Sequence, residues 1–259
     1  MKKKSNTIET QSDVARDANL EIVDEQQKAD LLQGYRRLRE KGLADSARLS
    51  ISRRIPGRSA FIYLEWLPGE GGAKSALPGM KHVAVFDFGG GPLEGNLAHM
   101  RWTPSHLRLH ARLYRLRPDL GAVVRYRPRC AGTLNQVETI MPGIFDEQVR
   151  QLGSRIEFLR ETATGLDDAS ERLVRDGANV FLCSGDVLSL GYNQERVIFN
   201  CELIEKCARA FLLALATGHR VRRIPWLIRR IAGGRMRRDG RQAAAAYARG
   251  EFPEGISAY

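Results

Sequence analysis

Two arginines lie side by side on one face of a predicted strand, in the stretch VVRYRPRC at residues 123–130. Alternation along a strand sends Arg125 and Arg127 to the same face and Tyr126 to the opposite one. A pair of guanidinium groups binds a carboxylate or a phosphate bidentately through charge-assisted hydrogen bonds. The spacing therefore indicates an anion site, and we expect a small anionic metabolite as its ligand.

Two histidines, His106 and His110, lie one helical turn apart and share a helix face. Imidazole transfers protons near neutral pH, which makes His106 a candidate general acid or base, although a surface histidine bound to a neighbour is equally typical. For His110 a structural role is the alternative to direct chemistry. A metal site built from both histidines and Cys130 is the disfavoured alternative, because the nearby arginines would repel a cation.

The positive charge is concentrated near the C-terminus. Residues 220–241 contain nine arginines and one acid, Asp239, and so supply most of the net charge of +11. Such a segment can bind nucleic acid or an anionic surface. A solvated helix, or a tail that packs on a neighbouring subunit, is favoured, because Trp226 is the only aromatic residue among these arginines.

The composition excludes several classes of protein. No stretch of the sequence has the eighteen uncharged apolar residues that a membrane span needs, and the N-terminus MKKKSNTIETQSDVARD lacks the apolar core of a secretory signal. The four cysteines form no CxxC pair, which argues against a disulfide scaffold or a zinc ribbon. We therefore expect a cytoplasmic protein without a membrane span.

The elements that would position the arginines and histidines follow from periodicity. Apolar residues at helical spacing predict a helix from Ala29 to about Gly42. The stretch TPSHLRLHARLYRLRPD predicts a helix capped by Thr103, with Pro104 at its first position and its end before Pro118. A long helix is predicted over 196–217. The predicted strands are LSISRRI, SAFIYLEWL, HVAVFDF, GAVVRY and NVFLCSG.

Three regions are predicted along this mixed α/β chain. Residues 1–27 are polar and aperiodic, which predicts a disordered or loosely attached arm. Residues 28–217 contain the helices and strands and form the predicted domain. Residues 218–259 are predicted to be a basic C-terminal extension.

The order of these segments resembles the class II aldolase/adducin family. ISRRIPG at 51–57 is similar to the family turn I-S-x-R-x-P-G, and TPSHLRLHARLYRLRPDLGAVVRYR is similar to its P-S-S-E-x-x-x-H-x-x-x-Y-x-x-R-P-D-x-x-A-V-V-H-x-H stretch. FLCSGDVLSLG followed by IEKCARAFLLA resembles the HG segment and the helix after it. The resemblance implies a three-layer α/β/α domain with a mixed, largely antiparallel central sheet flanked by helices.

The chain departs from the family at the metal positions. Family enzymes hold zinc or another divalent metal with the histidines of H-x-H and HG, where this sequence has Arg125, Arg127 and Ser184. A guanidinium stays protonated and offers no lone pair. We therefore expect no metal and no cofactor. The family's catalytic acid falls on His106, which the resemblance makes the candidate proton donor or acceptor.

The resemblance also implies further substrate-binding residues. Ser52 and Arg54 match residues that shape the substrate side, with turn maintenance as the alternative. Ser105 matches a hydroxyl at the anion-binding start of the helix, with helix capping as the alternative.

Two hypotheses for the function remain open. The first is a metal-independent lyase, isomerase or condensing enzyme of a biosynthetic pathway, acting on a small carboxylated or phosphorylated metabolite. The second is a non-catalytic, adducin-like scaffold or interaction protein that has lost the zinc site. The family implies a homo-oligomer in both cases, commonly a tetramer.

Overall fold

The computed structural model describes residues 25–43, 48–67, 77–95, 97–99, 102–137, 140–163, 165–218 and 220–256. They form a large mixed sheet with helices packed on both faces, which confirms the expected three-layer α/β/α architecture. Most of the predicted N-terminal arm lies outside the described residues. Its last three residues, 25–27, belong to the first helix.

The main sheet has nine strands in the order β4-β3-β2-β1-β5-β11-β10-β7-β6. The pair β7 and β10 is parallel and the other neighbours are antiparallel, so the sheet is mixed and largely antiparallel as expected. A separate short hairpin is formed by β8 and β9. The strands are β1 Leu49–Arg54, β2 Ala60–Trp66, β3 Ala84–Asp87, β4 Pro92–Glu94, β5 Ala122–Tyr126, β6 Met141–Pro142, β7 Arg155–Leu159, β8 Glu161–Thr162, β9 Gly165–Leu166, β10 Val180–Cys183 and β11 Asp186–Gly191.

The helices divide between the two faces of the sheet. They are α1 over 25–40, α2 Pro104–Leu116, α3 Arg129–Gln136, α4 Asp146–Gln151, α5 Asp168–Arg175, α6 Gln194–Ala216 and α7 Trp226–Ala248. Apolar side chains of α1, α3 and α6 pack on one face. Those of α2 and α5 pack on the other. None of the helices in these ranges is long and apolar enough to cross a membrane.

Polar residues interrupt one of the two buried faces. Strand β2 is buried along its whole length, because Ile62 and Leu64 face α1 and α6 while Phe61 and Tyr63 face α2. A strand covered on both sides is expected to be almost entirely apolar. Glu65 nevertheless follows Tyr63 on the α2 face. Ser50 of β1 lies opposite Glu65 in the sheet, and Arg125 of β5 lies opposite Ser50, so the three form one polar row.

Helix α2 covers this polar row, and its predicted limits are confirmed. It begins at Pro104 after the N-cap residue Thr103 and ends at Leu116. The Thr103 hydroxyl does not cap the helix as expected. It donates instead to Glu65 Oε1, at 2.8 Å, and so joins the start of α2 to the sheet.

The C-terminal basic segment packs on the rest of the fold. Helix α7 contacts α4, and its Tyr247 hydroxyl donates to the Tyr192 carbonyl at 2.9 Å. This hydroxyl lies so close to Gly121 that a Cβ added there would be 2.0 Å from it. Met236 and Ala243 of α7 are buried against Tyr192. The segment predicted as an extension therefore contributes a helix to the folded domain.

Candidate functional site

Arg125 lies at the centre of an ion cluster. Its side chain is 5% exposed, Nε donates to Asp186 Oδ2 at 2.9 Å, and Nη1 donates to Glu161 Oε2 at 2.8 Å. Burial alone would lower the pKa of Arg125, but its hydrogen bond to Glu161, the Glu161 charge and its hydrogen bond to Asp186 raise it. The guanidinium is therefore permanently charged and already engaged by two carboxylates.

Arg127 binds the other oxygen of the same carboxylate. Its Nε donates to Asp186 Oδ1 at 3.0 Å and to the Gly185 carbonyl at 3.1 Å, while 58% of the side chain remains exposed. The structure thus brings Arg125 and Arg127 together on Asp186. With Glu161 included, two positive and two negative charges balance, so the cluster formed by Arg125, Arg127, Glu161 and Asp186 has no net charge.

An open pocket of about 380 Å³ lies beside Arg127. Arg129, Gly132 and Asn135 of α3 contribute to its wall, as does Gly185. Arg125, Ser184 and His106 do not line it. The structure therefore separates two of the predicted anion-binding residues. Arg127 borders an open pocket, whereas Arg125 is buried and paired with Glu161 and Asp186.

Ser184 lies in the two-residue turn between β10 and β11. Its φ is 46° and that of Gly185 is 84°, so both central residues are left-handed, as a type I′ hairpin requires. The turn leaves Ser184 exposed and brings Asp186 opposite Cys183. The Cys183 thiol donates to Glu161 Oε1 at 3.1 Å, and burial followed by the Glu161 charge raises the pKa of this thiol. Cys183 is thus held as a neutral, unreactive thiol.

His106 is oriented by a buried carboxylate. Its Nδ1 lies 3.0 Å from Glu65 Oε1, and Glu65 also accepts from the Thr103 amide at 2.7 Å and from the Tyr63 hydroxyl at 2.8 Å. Burial alone would raise the pKa of Glu65, but the bonds from His106 and Thr103 lower it to about 2. Because an ionised carboxylate only accepts, Nδ1 of His106 carries the proton and Nε2 is the nitrogen that can exchange one.

His110 belongs to the interior. Ser50 Oγ lies 3.0 Å from its Nε2 and Ser52 Oγ lies 2.7 Å from its Nδ1. Burial, and then the neighbouring His106, lowers the pKa of His110 to about 3, so the ring is neutral. Cys130 packs on the opposite face of the sheet, and it therefore forms no group with the two histidines.

The remaining predicted site residues lie apart from the arginines. Ser52 is fully buried and bonds Tyr114 as well as His110. Arg54 is buried and donates to the carbonyls of Tyr114, Arg117 and Leu120, which fastens the end of α2. A substrate contact by Ser52 or Arg54 would require these bonds to break. Ser105 is exposed in the first turn of α2, next to His106.

A divalent metal does not fit these residues. Asp186 and Glu161 are the carboxylates at this position, and each is paired with an arginine whose charge would repel a cation. Within the described part of the chain, no group of three or more His, Cys, Asp and Glu side chains is arranged to hold a metal ion.

Sequence reasoning missed the three acids on which this arrangement depends. Glu65 could have been identified from the sequence, because it is the one charged residue in the apolar stretch SAFIYLEWL. Asp186 had a weaker one, because it follows Ser184 and Gly185 at the start of a strand. Glu161 lies in a two-residue strand 36 residues beyond Arg125, and no sequence pattern points to it.

Known proteins of similar sequence and fold agree with this architecture. The family model of the Class II Aldolase and Adducin N-terminal domain matches residues 29–212. A solved L-fuculose 1-phosphate aldolase is 18% identical, with a TM-score of 0.64, and the match covers 81% of this chain and 95% of that one. The L-fuculose 1-phosphate aldolase from Glaciozyma antarctica PI12 is 12% identical, with a TM-score of 0.63 and 86% of each chain covered.

An aldolase II superfamily protein from Pseudomonas syringae is 16% identical, with a TM-score of 0.59, and the match covers 88% of this chain and 94% of that one. A comparison with curated protein sequences gave no significant match. At these identities the solved structures establish the fold alone. The family model, however, spans more than half of the sequence, and the chain therefore belongs to the class II aldolase and adducin family.

Proposed function

We propose that this chain is a non-catalytic interaction protein on the class II aldolase fold, an adducin-like member that does not carry out the metal-dependent reaction. The observation that carries this proposal is the pairing of buried Arg125 with Glu161 and Asp186, at the position where the family resemblance implies a metal ligand. A carboxylate or phosphate ligand would have to displace one of these acids from Arg125. Leaving one partner of a buried ion pair uncompensated costs on the order of 3 to 5 kcal/mol, so the ligand and the displaced acid would both need new partners.

Exposed apolar side chains support association as the function. Leu213 of α6 and Trp226, Leu227 and Ile231 of α7 are each more than half exposed. The three α7 residues lie within six positions of one another at the start of the helix, and clustered exposed apolar side chains are typical of protein contact sites. We expect a homo-oligomer, as the family resemblance implies.

A metal-independent enzyme is the second candidate, and the pair of His106 and Glu65 favours it. A histidine held by a buried, ionised carboxylate is the arrangement of many general bases. In this reading Nε2 of His106 exchanges the proton. Arg127, Ser184 and Ser105 would bind a small carboxylated or phosphorylated metabolite, and Arg125 would do so after releasing one acid.

Turnover distinguishes the two candidates. The protein is incubated with excess zinc, gel-filtered and analysed for bound metal, and then mixed in deuterium oxide with L-fuculose 1-phosphate and a panel of small carboxylic acids. We expect less than about a tenth of a zinc ion per chain, because the donor set does not fit. We also expect neither cleavage nor C–H exchange above the rate of a His106→Gln control. Turnover that His106→Gln abolishes would establish the enzyme instead.

Association is measured separately by light scattering. A Leu227→Glu/Ile231→Glu variant should dissociate the homo-oligomer, because it places charges in an apolar contact. An Arg222→Glu variant, at an exposed position outside the apolar group, is the matched control. A wild-type protein that remains monomeric at micromolar concentration, and binds no other copy, contradicts an association role for this surface.

A further inference from the structure

A second pocket shares no residue with the Arg125 cluster, and four arginines contribute to its lining. It has a volume of about 430 Å³ and lies between α4, α6 and α7, with Gly255 and Ile256 at its edge. Its arginines come from all three helices, and Asp239 is the one acid in its lining. They are Arg150 of α4, Arg196 of α6, and Arg235 and Arg238 of α7.

Arg196 is the buried member of this group. Its side chain is 4% exposed, and within the described residues its Nε and Nη1 have no hydrogen-bond partner. Its Nη2 lies 3.5 Å from Asp239 Oδ2, which is the longest of the ion pairs seen in these parts of the chain. Burial lowers the pKa of Arg196, whereas Asp239 raises it, and a guanidinium remains charged at neutral pH.

Arg150 also has a buried donor without a hydrogen-bond partner in the described residues. Its Nε is buried and, among the described side chains and backbone, finds no acceptor. Buried donors on charged groups are costly unless an acceptor meets them. Three such donors on these two guanidinium groups, which both line one pocket, point to an acceptor that the two arginines share.

We propose that this pocket binds a small phosphorylated metabolite carrying more than one negative charge, of the diphosphate class. Four arginines against one acid leave a charge of +3, which a multivalent anion neutralises better than a single carboxylate does. Guanidinium forks match phosphate oxygens bidentately. The residues that line this pocket are distinct from those of the Arg125 cluster and of the pocket beside Arg127.

The position of the free donors favours a small ligand over nucleic acid. Arg235 and Arg238 are exposed and within reach of any polyanion. The donors that lack acceptors are buried atoms, Nε and Nη1 of the buried Arg196 and Nε of the half-buried Arg150. A nucleic-acid backbone would contact the outer pair and leave the inner donors unmet.

The test measures inorganic pyrophosphate binding by isothermal titration calorimetry at constant ionic strength, without divalent cations. Arg196→Met and Arg238→Met should each weaken binding at least about tenfold, since each removes charge-assisted hydrogen bonds. Arg241→Met removes one charge from an exposed site of the same helix outside the pocket, and should change the affinity less than about twofold.

A gain of affinity provides the result that misfolding cannot mimic. Asp239→Asn removes the competing carboxylate beside Arg196 and should tighten pyrophosphate binding several-fold, roughly 3- to 10-fold. Equal losses in Arg241→Met and Arg238→Met would overturn the proposal, as would wild-type and Asp239→Asn proteins that bind no pyrophosphate. Tight binding of a duplex oligonucleotide, unaffected by Arg196→Met, would assign these arginines to nucleic acid instead.

Discussion

Glu65 is the residue that organises the polar row under α2. It accepts hydrogen bonds from His106, Thr103 and Tyr63, and its buried charge is stabilised by them. The same bonds fix the tautomer of His106 and the start of the helix that carries it. The candidate proton-transfer residue and the local stability of the fold therefore depend on one carboxylate.

The lowered pKa of Glu65 predicts acid sensitivity. The folded value of about 2 lies below the ordinary 4.5, so the stabilisation is fully present above pH 4.5 and is lost as the pH falls towards 2. The shift corresponds to about 3 kcal/mol. Glu65→Gln should lower the free energy of unfolding at pH 7 by about this amount and flatten its pH dependence below pH 4.5.

Urea unfolding at several pH values measures this effect. His110 also has a lowered pKa, about 3, but its contribution changes as the pH falls from its ordinary value of 6.5. That change continues down to about pH 3, but both proteins keep His110, so the difference between the wild-type and Glu65→Gln curves below pH 4.5 reports mainly on Glu65. Parallel curves for the two proteins in that range would contradict the assignment.

At the scale of elements, the β10–β11 hairpin determines where Asp186 meets the arginines. Its turn needs positive φ at both Ser184 and Gly185, and Ser184 is the only non-glycine residue with positive φ in the described ranges. Asparagine tolerates this conformation better than serine does. We predict that Ser184→Asn stabilises the protein by about 0.5 kcal/mol and that Ser184→Val destabilises it by about 1 to 2 kcal/mol.

Thermal unfolding measures both hairpin variants. The hydroxyl is absent from both, so a loss of stability in Ser184→Asn equal to that in Ser184→Val would mean that the serine hydroxyl, and not the backbone, determines the residue type.

The helices and strands were largely predictable from the sequence, whereas the ion-pair partners of the site residues were not. Strands β1, β2 and β5 and the limits of α2 follow from alternation, from Pro104 and from Pro118. The short helices α3, α4 and α5 were not predicted, because six to eight residues give too little periodicity. Strand alternation places Arg125 and Arg127 on the same face, where both contact Asp186. The carboxylate partners of Arg125 were missed because their approach depends on tertiary packing across distant segments.

At the scale of the whole molecule, α7 packs against the rest of the domain. A substitution at Gly121, which the Tyr247 side chain of α7 approaches closely, tests this packing. Any side chain at Gly121 meets Tyr247 Oη and the Tyr192 carbonyl at 2.0 and 2.3 Å. We predict that Gly121→Ala destabilises the protein by about 2 to 4 kcal/mol and increases hydrogen exchange along α7. The matched control is Gly234→Ala in the same helix, where an added Cβ meets nothing within 4 Å.

The control should stabilise α7 by about 0.5 to 1 kcal/mol, since alanine is the better helix former. Hydrogen exchange measured by mass spectrometry separates local from global effects. Exchange in α7 that is the same in wild type and Gly121→Ala would mean that the helix is not anchored at this point.

The neutrality of the Arg125 cluster has an electrostatic consequence at long range. Its two arginines and two acids cancel, whereas residues 220–241 contribute eight of the eleven net positive charges, as nine arginines less Asp239. Positive charge is therefore concentrated on the segment that contains α7 and not on the Arg125 cluster. In dilute salt, this charge attracts anions to the α7 segment before any contact is made.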